Sequence, residues 1–154
     1  SVIPAASLNN GGLGMDGNEE YYLYDFWNDA FLGKINGKDS LVQTLRPGET
    51  RMISIHEIKE NPQFISTSRH IMQGMIDLHD CVWNSNEKVL EGESDVIGGE
   101  DYVVIIAKNG FTPSVVDISG GEASLVEMNA GLMKLVIRSS ENKTINWHIN
   151  FNVQ

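Results

Sequence analysis

Four histidines, His56, His70, His79 and His148, are the side chains of this chain best placed to move protons near neutral pH. Two of them stand beside other reactive groups. Ser66-Thr67-Ser68-Arg69-His70 sets hydroxyls next to a guanidinium and an imidazole, and Asp77-Leu78-His79-Asp80 sets two carboxylates around an imidazole. The first is the raw material of nucleophilic or acid–base catalysis, the second of a metal site. Adjacency in sequence establishes neither. Triad partners meet through the fold, and neighbours on a strand, such as Arg69 and His70, point to opposite faces. No Gly-x-Ser-x-Gly elbow is present. On a strand Asp77 and His79 share a face and Asp80 does not, so a metal would need a further ligand from elsewhere.

We therefore expect Ser66 to His70 to be a hydrogen-bonded crossover in which Arg69, His70 and Gln73 satisfy polar groups. Asp77 to Asp80 is expected to be a polar strand face. No catalytic residue, metal ligand or cofactor is assigned. Arg69, His70, Gln73, Trp27, Asp77 and His79 are the candidates for structural or ligand contacts.

Two further stretches, Asp16-Gly17-Asn18-Glu19-Glu20 and Glu91-Gly92-Glu93-Ser94-Asp95, are acidic and contain glycine. Neither has EF-hand spacing, and both are expected to be solvated loops. Tyr21, Tyr22, Tyr24, Phe26, Trp27, Trp83 and Trp147 could stack on pyranose rings. The three tryptophans lie in apolar alternations, however, and a core position is expected for each. Asn142-Lys143-Thr144 is a glycosylation sequon in a turn, with meaning only in a eukaryotic secretory pathway.

The elements that must carry these residues read as strands. Arg51 to Ile58 alternates, with Ile53, Ile55 and Glu57 on one face and Met52, Ser54, His56 and Ile58 on the other. Met75 to Trp83 alternates again. Tyr102 to Ala107 is a continuous β-branched run, expected to be buried on both faces. Ile145 to Val153 places Ile145, Trp147, Ile149, Phe151 and Val153 on one face and asparagines and His148 on the other. Asn36-Gly37 is a hairpin signal, Arg46-Pro47-Gly48-Glu49 a tight turn, and Asn109-Gly110 another turn. Asn61 to Gly74 is read as the structural crossover, entered at Pro62 and anchored by Phe64 and Ile71. No stretch has a sustained helical period with caps. The expectation is an all-β fold: an antiparallel two-sheet β-sandwich of roughly ten short strands over residues 21–154, preceded by a leader or linker over residues 1–20.

Composition bounds the partners. The 154 residues suit one domain with a sizeable core, and the net charge of −10 disfavours nucleic acid and anionic membrane surfaces. The lone Cys81 excludes an internal disulfide. No apolar run is long enough to span a bilayer as a helix. The chain does not begin with Met, so we expect a processed product or a fragment of a longer protein. The compartment stays open, with a periplasmic or extracellular setting favoured.

Tyr24-Asp25-Phe26-Trp27-Asn28-Asp29 with Phe31-Leu32-Gly33 resembles the first strand of the C-terminal β-domain of large bacterial α-galactosidase-like (melibiase-type) glycoside hydrolases. The resemblance continues through Leu45 to Arg51, then Pro62 and Ile65-Ser66-Thr67-Ser68-Arg69-His70-Ile71-Met72-Gln73-Gly74. It recurs at Trp83, Leu90-Glu91-Gly92 and Trp147, and so covers the chain from about Tyr21 onward. The catalytic aspartates of such enzymes lie in a (β/α)8 barrel that this chain does not contain, so no catalytic residue carries over. The resemblance implies an accessory domain that packs on and stabilises that barrel, its partner within one parent chain. A free-standing carbohydrate-binding module is the alternative, with carbohydrate as partner. A small hydrolase using His70 or the Asp77–Asp80 cluster is a third expectation.

Overall fold

The structure, a computed structural model, describes residues 2–4, 12–69 and 76–153. The protein is all-β, and every strand pairing is antiparallel. Among the described residues the only helical turn is a short 3-10 segment at Asn129–Gly131. The chain divides into two compact units, Ser1–Ile58 and Lys59–Gln154. The division thus falls well after the boundary expected at residue 20.

In the first unit, β1 (Val2–Pro4) pairs with β4 (Ser40–Val42), and β2 (Glu20–Asp25) lies between β3 (Ala30–Asn36) and β5 (Ile53–Glu57). Alternation drives the packing: Ile53 and Ile55 turn onto a cluster of Met15, Tyr21, Leu23, Ile35 and Leu41. The leader is therefore part of the unit, contributing β1 and the buried Met15. At Asn36-Gly37 the turn forms, with Asp39 N donating to Asn36 O at 2.9 Å. Its flanking strands do not pair as a hairpin, because β4 is hydrogen-bonded to β1.

The second unit is the β-sandwich. One sheet has the order β10 (Phe111–Ile118), β13 (Lys143–Val153), β8 (Val89–Val96), β7 (Leu78–Asn84). The other has the order β11 (Glu122–Glu127), β12 (Leu132–Arg138), β9 (Asp101–Ala107), β6 (Gln63–Thr67). The first half of the expected crossover, Gln63–Thr67, is thus a strand. The chain then passes from β6 in one sheet to β7 in the other.

Side chains from facing strands meet in the interior: Leu90 and Val96, Ile145, Trp147 and Ile149, Val104 and Ile106, Leu135 and Ile137. Each such burial contributes about 1.5–3 kcal/mol. Trp83, Phe111 and Phe151 close one end with edge-to-face contacts at 5.2, 5.8 and 6.5 Å between ring centroids. The run in β9 is buried on both faces as expected, Val104 to Ala107 being at most 1% exposed. Val153 departs from expectation and is exposed at the end of β13.

Candidate functional site

Glu91, Glu93 and Asp95 are not in a loop. They are the outward residues of β8, while Leu90, Gly92, Ser94 and Val96 face in. The inward set disguises the strand, because Gly92 and Ser94 are not apolar. Trp147 explains both. It pairs with Gly92 across the β13–β8 ladder, and a Cβ on Gly92 would meet Trp147 Cζ2 at 2.0 Å. Its Nε1 donates to Ser94 Oγ at 3.0 Å. The large indole therefore needs a glycine opposite and a hydroxyl beside it.

On the outer face the β13–β8 register sets Thr144 against Asp95, Asn146 against Glu93 and His148 against Glu91. On the other side Asp80 faces Glu93 and Val82 faces Glu91. A β-bulge between Leu78 and Asp80 changes the parity of β7. Leu78, Cys81 and Trp83 pack inward, and His79 and Asp80 are exposed in succession. The expected sharing of a face by Asp77 and His79 is thereby corrected. The Asp77 carboxylate has its Oδ2 buried, whereas His79 lies outside with Asp80.

Three sequence candidates converge on Asp95, which the sequence reading placed in a solvated acidic loop. His79 Nε2 lies 2.7 Å from Asp95 Oδ2, and Thr144 Oγ1 donates to Asp95 Oδ1 at 2.6 Å. Arg69 Nη1 donates to the Asp95 carbonyl at 2.7 Å, and Asp95 N donates to Asp77 O at 2.8 Å. The Thr144 hydroxyl, then the His79 imidazole, hold the Asp95 carboxyl below its usual range. The hydrogen bond to Asp95 raises the His79 imidazole above its own. The signal that could have found Asp95 was the period of two in Glu91, Glu93 and Asp95.

This arrangement differs from a catalytic triad in its order. The hydroxyl of Thr144 bonds the carboxylate, and the carboxylate stands between it and the imidazole. A nucleophile needs its proton in reach of the base. The cluster orients the imidazole and links three elements. Beside it Asp80, Val82, Glu91, Glu93, Asn146 and His148 line a shallow groove of about 270 Å³. His148 Nε2 stands 4.0 Å from Glu91 Oε2 there. Among the described residues no three His, Cys, Asp or Glu side chains gather as a cation site.

Trp27 belongs to the first unit, in the turn between β2 and β3, and is 46% exposed rather than in the core. The reason is Asp25, itself buried. Its Oδ1 accepts from Asn28 N at 3.2 Å and its Oδ2 from Asn28 Nδ2 at 2.7 Å, which ends the strand and turns Trp27 outward. Trp83 packs against the sandwich core and Trp147 is fully buried. His70, Ile71 and Gln73 lie outside the described residues. Comparison of the chain with protein-family models, curated proteins and solved structures finds no match.

Proposed function

We propose that this chain is a non-catalytic C-terminal accessory region of an α-galactosidase-like glycoside hydrolase, which packs on and stabilises a catalytic (β/α)8 barrel carried elsewhere in the same polypeptide. The observation that carries this reading is the use made of the residues behind the resemblance. Arg69 bonds the Asp95 carbonyl, and Ser68 Oγ accepts from Val103 N at 2.9 Å. Asp25 bonds Asn28 twice. Arg69 and Ser68 thus tie the end of the second block to β8 and β9, and Asp25 closes the turn of the first. A clamp of this kind supports a neighbour by rigidity and does not touch a substrate.

The test compares the parent enzyme with and without this region. Removal is expected to lower the melting temperature of the barrel while the isolated chain leaves an aryl α-galactoside unhydrolysed. Hydrolysis by the isolated chain, abolished by one carboxylate substitution, would overturn the reading.

A carbohydrate-binding module is a second reading, favoured by the exposed Trp27 indole on a clasped turn. Stacking on a sugar ring needs an exposed, preorganised aromatic face. Titration of the chain with galacto-oligosaccharides would quench tryptophan fluorescence on this reading, and Trp27→Ala would abolish the response. Silence of the intact chain removes it.

A further inference from the structure

An open sheet presents backbone N–H and C=O groups along each edge, and proteins blunt such edges with bulges, prolines or charges. The two sheets of the sandwich end in β10, β7, β11 and β6. Three of these edges are blunted. β10 carries Pro113 and a bulge between Pro113 and Val115, β7 a bulge between Leu78 and Asp80, and β6 one between Phe64 and Ser66. β11 differs. Its register on β12 runs unbroken from Glu122 to Glu127, and the residues between, Ala123-Ser124-Leu125-Val126, carry no charge. Among the described residues no strand pairs with its outer side.

The side chains at this edge leave room for a further strand. Ala123 and Leu125 turn inward and pack on the core but stay half-buried, as do Val116 and Ile118 of β10 in the facing sheet. Ser124 and Val126 are exposed on the other face, Val126 by 46%. A strand added to β11 would cover the half-buried residues with its own inward side chains. On the outer face Asp101, Arg138 and Glu122 form one cross-strand row in which the charges alternate in sign. Arg138 is held there by Asp101, Nε donating to Oδ1 at 2.6 Å and Nη2 to Oδ2 at 2.8 Å. The next place in that row, beyond Glu122, favours a cation, since opposite charges stabilise a cross-strand pair and like charges destabilise it.

We propose that β11 is a docking edge that takes an extended segment of another protein by strand addition, with apolar residues at alternate positions turned inward and a Lys or Arg opposite Glu122. A second copy of this chain fits this edge less well. In a two-fold antiparallel pairing of β11 with itself, residues of one face meet residues of the same face. Glu122 then faces Glu122, Ser124 or Val126 of the copy and never a cation, while each copy carries a net charge of −10. The inference does not rest on the glycoside hydrolase reading.

The test titrates the isotope-labelled full chain with short capped peptides that alternate valine and threonine around one central lysine. One control peptide has glutamate for the lysine, and another has its central backbone amides methylated. Amide shifts centred on β11 and slower hydrogen exchange there are expected with the lysine peptide. The methylated peptide should produce neither, and the glutamate peptide should bind about two- to fivefold more weakly. In Glu122→Lys the order of the lysine and glutamate peptides should reverse. If that variant does not fold, the comparison of the peptides on the wild type decides. Shifts elsewhere, or none at millimolar peptide, would overturn the proposal. So would equal binding of the glutamate or the methylated peptide. Protection of every β11 amide in the free chain at low concentration would mean that the edge is already covered. Protection that grows with chain concentration would mean that a second copy occupies it. Either result rejects the proposal.

Discussion

The imidazole of His79 and the carboxylate of Asp95 meet at 2.7 Å across a β-bulge, fifteen residues of intervening chain having been folded into a turn and a strand reversal. The pair gives the surface of the sandwich a defined pH response. His79 has a raised folded-state pKa, so its contribution is complete below the ordinary imidazole value of 6.5 and is lost as pH rises through the folded value. Asp95 has a lowered one, so its contribution is present above the ordinary 3.8 and is lost as pH falls through the folded value. The contact is firmest between those two ordinary values. Proton NMR titration of His79 is expected to show a midpoint above 6.5, and Asp95→Asn to bring it down. An unchanged midpoint in Asp95→Asn would show that the two do not pair in solution.

Gly92→Ala places a methyl group 2.0 Å from Trp147 Cζ2. Neither partner has room, because Trp147 is fully buried and held by Ser94. The expected loss is about 1–3 kcal/mol, the range of an overpacked core. Urea unfolding measures it. A midpoint equal to the wild type would mean that the indole does not lie over Gly92.

Cys81 is mostly buried, and burial pushes its thiol up to about 12. The thiolate is the reactive species, so modification of the native chain by a disulfide reagent at mild alkaline pH should be slower than in denaturant by at least about tenfold. Equal rates would place the side chain in water.

Asp25→Ala removes the acceptors for Asn28 N and Nδ2 in the turn that carries Trp27. Loss of these hydrogen bonds to a charged acceptor is expected to cost about 1.5–3 kcal/mol in the first unit. Trp27→Ala, by contrast, should change stability by less than about 0.5 kcal/mol, since the indole is exposed. Thermal unfolding of the two variants separates the clasp from the residue it presents. A large loss in Trp27→Ala would show that the indole packs in solution.

The alternations of Arg51 to Ile58 and Ile145 to Val153, and the unbroken run in β9, were enough to read an all-β sandwich from the residues alone. Side-chain period and β-branching are local properties, and burial follows from them directly. The sandwich has eight strands among the described residues, against the ten or so expected over residues 21–154, because β2 to β5 belong to the first unit, and β8 was hard to read as a strand because its inward Gly92 and Ser94 carry little apolar signal.

Partnership was a different matter. Arg69, Asp77 and His79 were picked out for their chemistry, but nothing local says that Asp95 joins them. Only the pairing of β7 with β8, the bulge that throws His79 outward and the crossing of the chain between sheets bring the four together. Trp27 was placed in the core by its apolar neighbours and was turned out by the Asp25 clasp. The sequence by itself thus determined which faces are apolar, because hydrophobicity resides in each residue. The tertiary structure alone decided which polar groups meet, because hydrogen bonds act over a few ångströms between residues the chain must first bring together.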